Sequence, residues 1–426
     1  MPLATIPVAA LDLADHIRED DLVTWGQAMG EPRALVDLYT AARHRIGPTR
    51  ALLGLQLSDG IAEIHTDFIS PVSYGALGSV RALARAGRLQ LLPCRYSALP
   101  GLITTARFRP DIVLVQLSPP GPDGSHSLGW CSDILPVAMK HARAVIAEIN
   151  PAVPWVRMDR PLDLNRIAVA IESRIPLPGF SAPLPGATEE AIADRLTPRI
   201  PEGATLQIGV GAIPSAVLGG LRHHRDLGLH SGLVTDGIAD LASCGALTNA
   251  RKPLLPGIGV GTVVLGGDKV TRYVADNPGF MLCGADYTHG ARALSALDNL
   301  VAINSALEVD LFGQVNAEQA GPHYVGAIGG QPDFMQAATA APNGLSVIAL
   351  PATAGRGEAR RSRIVARIDR TVTTARYDVD IVVTEHGLAD LRGLDLAART
   401  RALIATSAPE FRDALERAAR VEGPPA

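Results

Sequence analysis

The chain has 426 residues and a formal net charge of −4, with 47% hydrophobic and 19% charged residues. A single hydrophobic core stops growing at roughly 250–300 residues, so this length predicts two domains with large buried interiors. The weakly acidic balance excludes a global field that would attract nucleic acid or an anionic membrane. Any anionic ligand would therefore need a local site.

The four cysteines, Cys94, Cys131, Cys244 and Cys283, are scattered along the chain. No CxxC pair or Cys/His cluster has the spacing of a zinc site, so the cysteines are interpreted as reduced core residues and no metal is expected. The N-terminus lacks the basic start and apolar stretch of a signal peptide, and no apolar run reaches the roughly 18 residues of a membrane span. These features predict a cytoplasmic protein.

The first half of the sequence alternates short β-rich apolar runs with Ala-rich helical stretches. A strand is predicted at residues 112–115 and a helix over residues 135–149. Such alternation is typical of parallel strands joined by crossover helices. Residues 175–186 are too rich in proline for regular structure and predict a linker. The predicted domains therefore span residues 1–178 and 187–426.

The second half repeats this alternation. A helix is predicted over 189–199, and strands at 205–208, 262–265, 300–303, 346–350 and 381–384. Both halves are thus predicted to be open α/β domains. Open parallel sheets bind ligands beyond the carboxyl ends of their strands, so the cleft between the halves is the expected active site.

Residues 206–218 combine a predicted strand, the sequence GxG, Pro214 and the start of a helix. Glycines let the backbone approach a ligand closely, and free N–H groups at a helix start favour an anion or a developing oxyanion. A tight turn without a ligand is the alternative, since the third glycine of the dinucleotide pattern is missing.

Two further segments carry polar residues in glycine-rich surroundings. Residues 116–129 contain Asp123 and His126, which could act as acid and base, although a structural loop explains the same residues. Residues 303–316 predict a strand with Glu308 and Asp310 on one face, and a glycine-rich loop follows at 326–334. Carboxylates two residues apart could do acid–base chemistry, but more often they pair with arginines or cap neighbouring elements.

Two segments near the C-terminal end also allow both a functional and a structural interpretation. Residues 383–393 place Glu385 and His386 after a predicted strand, and a helix cap with an Asp390/Arg392 charge pair is the alternative to catalysis. The arginine-rich run 356–363 predicts a solvated loop, or a phosphate site because guanidinium groups bind phosphate oxygens in pairs.

Taken together, and in this order, these motifs resemble the acetyl-CoA hydrolase/transferase family of class I CoA-transferases. The resemblance covers about residues 51–409 and rests on SPP…SLG, GxGAIP, NSALEVDLFGQVN, GAIGG.PDF and VTEHGLADLRG. It implies two α/β domains of the CoA-transferase (NagB/RpiA-like) type, an acyl-CoA thioester substrate and no tightly bound cofactor. In such enzymes a glutamate attacks the thioester and CoA passes to an acceptor acid through a glutamyl-CoA intermediate.

The resemblance also implies roles for individual residues. The Val210 and Gly330 N–H groups match the oxyanion donors, and Gln207 matches a glutamine of the same pocket. The positions implied to bind CoA are Gly209, Val210, Gly211, Ala212, Ile213, Gly326, Gly330 and Arg356.

Two positions depart from the family pattern. Gly232 stands where the nucleophilic glutamate is expected, and His289 stands where an asparagine orients that glutamate. Ordinary CoA transfer therefore lacks its nucleophile. The attacking group and its supporting residue are both altered, while the glycines of the cradle are present.

Three interpretations follow from these departures. A water activated by His289, His230 or Asp236 could hydrolyse a short-chain acyl-CoA such as acetyl-CoA. Glu308 or Glu385 could replace the missing carboxylate and preserve transfer to a small carboxylic acid. The chain could also bind a CoA ester without turnover. The apolar composition and the resemblance predict a homodimer, with neither nucleic acid nor membrane as a partner.

Overall fold

The computed structural model describes residues 3–422 and contains two large β-sheets. The first sheet has seven parallel strands in the order β4-β3-β2-β1-β5-β6-β7. Its strands are β1 (Leu22–Trp25), β2 (Thr49–Leu53), β3 (Ile69–Ser73), β4 (Gln90–Leu91), β5 (Ile112–Leu117), β6 (Ala144–Ile149) and β7 (Ile167–Glu172).

The centre of this sheet is buried on both faces. Every residue of β5 is buried. Val113 and Val115 belong to one hydrophobic cluster, whereas Ile112 and Leu114 belong to another. Because successive side chains of a strand point to opposite faces, β5 packs against apolar side chains on both sides, as parallel sheets covered by helices do.

The second sheet has eight strands in the order β11-β10-β9-β8-β12-β17-β21-β22, and only β22 runs antiparallel to its neighbour. Three small sheets accompany it. In chain order the strands are β8 (Thr205–Ile208), β9 (Gly228–Val234), β10 (Gly259–Val264), β11 (Phe280–Leu282), β12 (Leu300–Asn304), β13 (Glu308–Asp310), β14 (Val315–Asn316), β15 (Gln319–Ala320), β16 (His323–Tyr324), β17 (Leu345–Ala349), β18 (Thr353–Ala354), β19 (Arg361–Ser362), β20 (Ile364–Val365), β21 (Ile381–Thr384) and β22 (Gly387–Asp390).

Helices connect most of the parallel strands. They are α1 (Arg33–Ile46), α2 (Val80–Arg85), α3 (Ala98–Thr104), α4 (Leu135–His141), α5 (Ala187–Leu196), α6 (Ala212–Gly220), α7 (Asp236–Ser243), α8 (Asp268–Val274), α9 (Ala285–Thr288), α10 (Ala291–Leu294), α11 (Gln331–Ala340), α12 (Leu396–Thr406) and α13 (Pro409–Glu422). No helix within residues 3–422 combines the length and apolarity needed to cross a membrane.

The predicted α/β class is confirmed, and so are the strands at 205–208 and 381–384. The helix predicted over 135–149 is wrong in its second half, because α4 ends at His141 and residues 144–149 form β6. Cys131 and Cys283 are buried as predicted, whereas Cys244 is exposed. The proline-rich segment 175–186 contains neither helix nor strand.

Backbone contacts join a loop of the first half to the second sheet. Cys131 forms an antiparallel bridge with Val263 of β10, and Asp133 bridges to Gly284 immediately before α9. The Ser132 N–H donates to the Thr262 carbonyl at 3.0 Å. Segment 130–133 of the first half is thereby attached to the second half, which brings loops of both halves to one site.

Candidate active site in the interdomain cleft

The loop between β8 and α6 contains Gly209, Val210 and Gly211. Gly211 has φ +137°, in the region that favours glycine. A Cβ placed on Gly209 would meet no protein atom within 4 Å. Glycine at 209 is therefore not required by packing within the chain, and it leaves one face of the loop free for a ligand. Ala212 and Ile213 begin α6, so their positions supply the helix start that the sequence predicted.

Gln207, near the end of β8, pairs with Asn304 at the end of the adjacent strand β12. The Asn304 Nδ2 donates to Gln207 Oε1 at 2.9 Å, and the reverse bond measures 3.3 Å. The Gln207 side chain is buried. This pair fixes an amide group at the carboxyl edge of the sheet, where ligands bind in open α/β folds.

The glycine-rich loop 326–330 is held by the first half of the chain. The Ala76 N–H donates to the Gly326 carbonyl at 2.9 Å, and the Tyr96 N–H donates to the Gly329 carbonyl at 3.0 Å. Gly330 immediately precedes α11. Residues from both halves therefore determine where the Gly330 backbone lies.

Gly232, His289 and Gly330 lie against one another. A Cβ on residue 232 would lie 2.9 Å from His289 Nε2, and a Cβ on residue 330 would lie 2.6 Å from the same atom. Real Cβ atoms essentially never approach other heavy atoms as closely as either of these distances. The imidazole thus occupies the space in front of both glycines, and each glycine is needed to accommodate it.

His289 is only 3% exposed. Its ring centroid lies 4.7 Å from the Tyr96 ring and 4.9 Å from the Phe334 ring. Burial lowers the pKa of His289 to about 3, with a smaller contribution from His230. The ring is therefore neutral at physiological pH. Its Nδ1 is buried and has no hydrogen-bond partner.

A buried polar cluster of Gln27, Tyr74, Tyr96 and Asp133 lies behind the Tyr96 ring. The Gln27 amide donates to Asp133 Oδ2 at 2.8 Å and also to the Tyr96 hydroxyl. The Tyr96 hydroxyl donates to Asp133 Oδ1, and the Tyr74 hydroxyl donates to Gln27 Oε1 at 2.8 Å. The cluster connects two strand ends of the first sheet to the ring that packs on His289.

Asp133 is the ionisable carboxyl of this cluster. Burial raises its pKa to about 6, although the hydrogen bonds from Tyr96 and Gln27 act in the opposite direction. Its φ of +48° is a conformation that non-glycine residues seldom adopt. Such strained conformations concentrate at functional sites.

A cleft of about 380 Å³ reaches His289 from the surface between α10 and α11. Its walls include the apolar Leu294 and Leu297 and the polar Arg95 and Asp333. Residues 209–213 are not among its lining residues. His289 therefore forms one wall of a space distinct from the loop after β8.

Two of the alternative water-activating groups are occupied elsewhere. The His230 Nε2 lies 2.9 Å from the Thr288 carbonyl, and burial lowers the pKa of His230 to about 3. Asp236 accepts the Val270 and Gly267 N–H groups, each at 2.9 Å. His289 remains the candidate that touches Gly232.

The alternative carboxylates make local structural contacts. Glu308 accepts from Asn316 Nδ2 at 3.2 Å, and Asp310 accepts the Gln314 N–H at 2.9 Å. Glu385 accepts the Ala352 N–H at 2.8 Å. Each of these carboxylates is therefore held by a neighbouring group of the fold.

The loop 116–129 is also held by its own residues. His126 Nδ1 lies 2.7 Å from the Ser118 carbonyl, and Asp123 accepts from the Ser125 hydroxyl at 2.6 Å. Asp123 is solvated while His126 is buried. The structural interpretation of this loop therefore accounts for both side chains.

The 383–393 motif forms a β-hairpin of β21 and β22, so the predicted helix cap there is wrong. The predicted Asp390/Arg392 pair is present, with a 2.6 Å contact. Arg356 is exposed at the start of the arginine-rich run. An exposed guanidinium at this point is compatible with the phosphate-binding role that the resemblance implies.

The sequence reasoning missed every contribution of the first half to the cleft. Gln27 and Tyr74 each follow a buried strand closely, so the rule that places sites at strand ends could have found them. Asp133 and Tyr96 lie in irregular segments that carry no comparable signal.

Two α/β halves that meet around His289 have the architecture of CoA-transferases, as a solved 4-hydroxybutyrate CoA-transferase from Porphyromonas gingivalis shows. RipA from Yersinia pestis superimposes on the chain with a TM-score of 0.90 at 30% identity, covering 96% of both chains. Residues 8–173 match the acetyl-CoA hydrolase/transferase N-terminal domain, and residues 266–419 match the C-terminal domain of the same name. The chain belongs to the acetyl-CoA hydrolase/transferase family.

Relatives in this family have both transferase and hydrolase names. The chain is 34% identical to 4-hydroxybutyrate coenzyme A transferase of Clostridium kluyveri, over 97% of this chain and 96% of that protein. It is 24% identical to acetyl-CoA hydrolase of Neurospora crassa, over 69% of this chain and 62% of that protein. Family membership therefore indicates acyl-CoA chemistry and leaves the choice between transfer and hydrolysis to the site.

Proposed function

We propose that this chain hydrolyses short-chain acyl-CoA thioesters such as acetyl-CoA, without forming a glutamyl-CoA intermediate. One observation carries the proposal. The His289 Nε2 lies 2.9 Å from the point where a side chain of residue 232 would begin. In a glutamate, the carboxylate lies roughly 3 Å from its Cβ, given C–C bonds of about 1.5 Å. A neutral imidazole nitrogen therefore lies about as far from the start of side chain 232 as a glutamate carboxylate would.

The proposed reaction uses groups already described. As the family resemblance implies, the thioester oxygen accepts from the Val210 and Gly330 N–H groups and the CoA chain follows the loop 209–213, so the substrate extends from that loop to the space beside His289. A water attacks the carbonyl carbon while His289 Nε2 accepts one of its protons. The tetrahedral intermediate then collapses, the C–S bond breaks, and the leaving thiolate takes that proton to give CoA and the free acid.

Burial limits how well His289 performs this step. An imidazole whose pKa is lowered to about 3 is a weak base. The negative charge that develops on the thioester oxygen beside it favours the protonated ring and offsets part of this weakness. Hydrolysis is therefore expected to be slow compared with a site whose base titrates near neutral pH.

The test is a thiol-release assay with acetyl-CoA and propionyl-CoA, with and without acetate or succinate. We expect release without an acceptor acid, and a decrease of about 100-fold in His289→Ala. His224→Ala is the matched control, because His224 is partly buried outside the cleft and Nε2 lies 3.0 Å from the Ile200 carbonyl. Equal rates in the wild type and His289→Ala would refute the role of His289.

Binding without turnover is the second candidate function. The low basicity of His289 favours it, since a pocket without an effective base or nucleophile could retain a thioester intact. Calorimetry with acetyl-CoA, run beside the thiol-release assay, separates the two. Heat of binding with no thiol release supports a silent binding protein.

Transfer through another carboxylate is the third candidate. Glu308 and Glu385 are engaged in the hydrogen bonds described above, which ranks this route below hydrolysis. Borohydride reduction in the presence of acyl-CoA, followed by peptide mass mapping, detects a modified glutamate if the route operates. Acceptor-dependent exchange in the kinetic assay would support the same result.

A further inference from the structure

Asp133 is connected to His289 through two separate sets of contacts. Through its backbone, the Asp133 carbonyl accepts the Ala285 N–H at 2.8 Å, at the start of the short helix that ends just before His289. Through its side chain, it accepts the hydroxyl of Tyr96, whose ring packs at 4.7 Å from the imidazole. One residue of the first half thus contacts both the helix that carries His289 and the ring that packs beside it.

Tyr96 adds a connection to the oxyanion side of the cleft. Its N–H donates to the Gly329 carbonyl at 3.0 Å, one residue before the predicted oxyanion donor Gly330. The same residue therefore contacts the imidazole through its ring and the glycine loop through its backbone. A shift of Tyr96 would change the distance between His289 and Gly330.

We infer that Asp133 and Tyr96 are positioning residues that hold His289 Nε2 against Gly232 and Gly330. As a statement about catalysis, this inference rests on the proposed function. Its physical basis is that the imidazole has no hydrogen bond of its own at Nδ1, so packing and the position of α9 must orient it. The strained φ of Asp133 is consistent with a residue held in place by several simultaneous contacts.

The side chain of Asp133 accepts from two donors at once. Its two oxygens accept separately from Tyr96 and Gln27. An asparagine at 133 offers one acceptor oxygen and one donor nitrogen, so it can satisfy only one of these two donors. Asp133→Asn and Tyr96→Phe therefore weaken the same connection from opposite ends with little change in volume.

The test measures two properties of each variant. The first is kcat for thiol release from acetyl-CoA. The second is the rate at which diethyl pyrocarbonate modifies His289, followed by peptide mass mapping. We expect kcat to fall about tenfold, because small misplacements at a reacting centre are costly. We expect His289 modification to accelerate at least about threefold, because the ring becomes more accessible when its packing loosens.

Tyr39→Phe is the matched control. The Tyr39 hydroxyl is buried and lies 2.6 Å from the Thr49 hydroxyl, in a hydrophobic cluster that does not contain Tyr96. This variant should leave both readouts unchanged. In the His289→Ala background, Tyr96→Phe and Asp133→Asn should produce no further loss of kcat. If their role were purely structural, they would lower kcat further in that background.

The outcomes separate this inference from the proposed function. If the wild type releases no thiol, the proposed function fails and the modification rates alone decide the positioning role. Unchanged modification of His289 in both variants, or the same acceleration in Tyr39→Phe, would overturn the inference. Accelerated modification in the two cleft variants alone supports it.

Discussion

Gly232 and His289 are matched in size, because residue 232 cannot gain a side chain unless the imidazole moves or is removed. A Cβ at residue 232 would approach His289 Nε2 to 2.9 Å and Cε1 to 3.2 Å. The two departures from the family pattern are therefore one structural feature. The small residue makes room for the large one, and the imidazole prevents a glutamate from simply being restored.

This pairing predicts how the glutamate route could be rebuilt. Gly232→Glu alone should be destabilised by about 1–3 kcal/mol, because overpacking forces side chains or backbone to shift. The double variant Gly232→Glu/His289→Asn removes the clash and supplies the asparagine that the family resemblance implies. We expect it to gain transfer of CoA from acetyl-CoA to succinate.

The measurement combines thermal unfolding with an acceptor-dependent CoA-transfer assay. His289→Asn alone is the control for the loss of the imidazole. Transfer activity in the single Gly232→Glu variant equal to that of the double variant would show that the ring does not block this position.

Protonation of Asp133 makes the stability of the folded protein depend on pH. Its pKa in the folded protein is raised to about 6 from 3.8, so the folded state binds the proton more tightly than the unfolded state. The raised pKa favours the folded state below pH 3.8, and this contribution is lost as pH rises through about 6. The difference amounts to about 3 kcal/mol, at 1.36 kcal/mol per pKa unit.

The free energy of unfolding of Asp133→Asn, relative to that of the wild type, should therefore be higher at pH 7.5 than at pH 4. Urea unfolding at both pH values measures this difference between the two proteins. A difference in unfolding free energy that stays constant from pH 4 to pH 7.5 would mean that Asp133 titrates as it does in the unfolded chain.

At the scale of elements, a buried lysine joins β9 to the residue that precedes β10. The Lys252 Nζ donates to the Leu229 carbonyl at 2.9 Å and to the Ile258 carbonyl at 2.6 Å. A Cβ at Gly228 would come within 2.4 Å of Lys252 Cγ, so a glycine at that position gives the side chain its path. Burial lowers the pKa of Lys252 to about 7.

This lysine predicts a second pH dependence, of the opposite sense. Below pH 7 Lys252 is charged in both the folded and the unfolded state. Burial of this charge destabilises the folded state by ~5 kcal/mol. That cost decreases as pH rises from 7 towards 10.5. The stability gained by Lys252→Met relative to the wild type should therefore be larger at pH 6.5 than at higher pH. The loss of two hydrogen bonds, at roughly 1 kcal/mol each, reduces this gain.

Urea unfolding at pH 6.5 and 9.5 tests this expectation. Lys269→Met is the matched control, since Lys269 is 57% exposed and its ion pair with Asp240 is on the surface. The same pH response in both variants would exclude burial of Lys252 as its cause.

Elements were predictable from the sequence where apolar runs have clear boundaries. The strand at 381–384 is a β-branched run of the kind that sheets favour, and the strand at 205–208 is followed directly by a glycine. Residues 135–149 are divided only by the mostly polar run 140–143, which also fits the exposed face of a continuous helix. Their apolar content fits a buried helix or a buried strand, because parallel strands covered on both faces lose the alternation that identifies strands.

Only the part of the candidate site that lies in the C-terminal half of the chain was predictable from the sequence. There the motifs and the family resemblance named Gly232, His289 and Gly330, which the structure brings together. The wall formed by Tyr96 and Asp133 depends on how the two halves dock, and no local pattern encodes that arrangement. The strained φ of Asp133 also leaves no mark on residue type, since aspartates occur in many ordinary turns.

On the scale of the whole molecule, the two halves act as one unit around the cleft. The Gly330 loop is held by Ala76 and Tyr96, and an interdomain hydrogen bond joins the Ser97 hydroxyl to Asp333 in α11 at 2.7 Å. A homodimer, a cytoplasmic location and a carboxylic-acid acceptor stay predictions at this scale. The covalent link between the halves, by contrast, passes through the proline-rich segment 175–186, which contains no regular structure.

The linker should therefore be dispensable once the protein has folded. We expect a site-specific protease sequence inserted beside Leu184, which is 91% exposed, to be cut readily in the native protein. The two fragments should co-elute in gel filtration, because the bridges of Cys131 with Val263 and of Asp133 with Gly284 lie far from the cut in sequence and remain in place. Uncut protein with the same insertion is the control. Separate elution of the fragments, or loss of thiol release on cleavage alone, would mean that the linker and not the interface holds His289 and Tyr96 together.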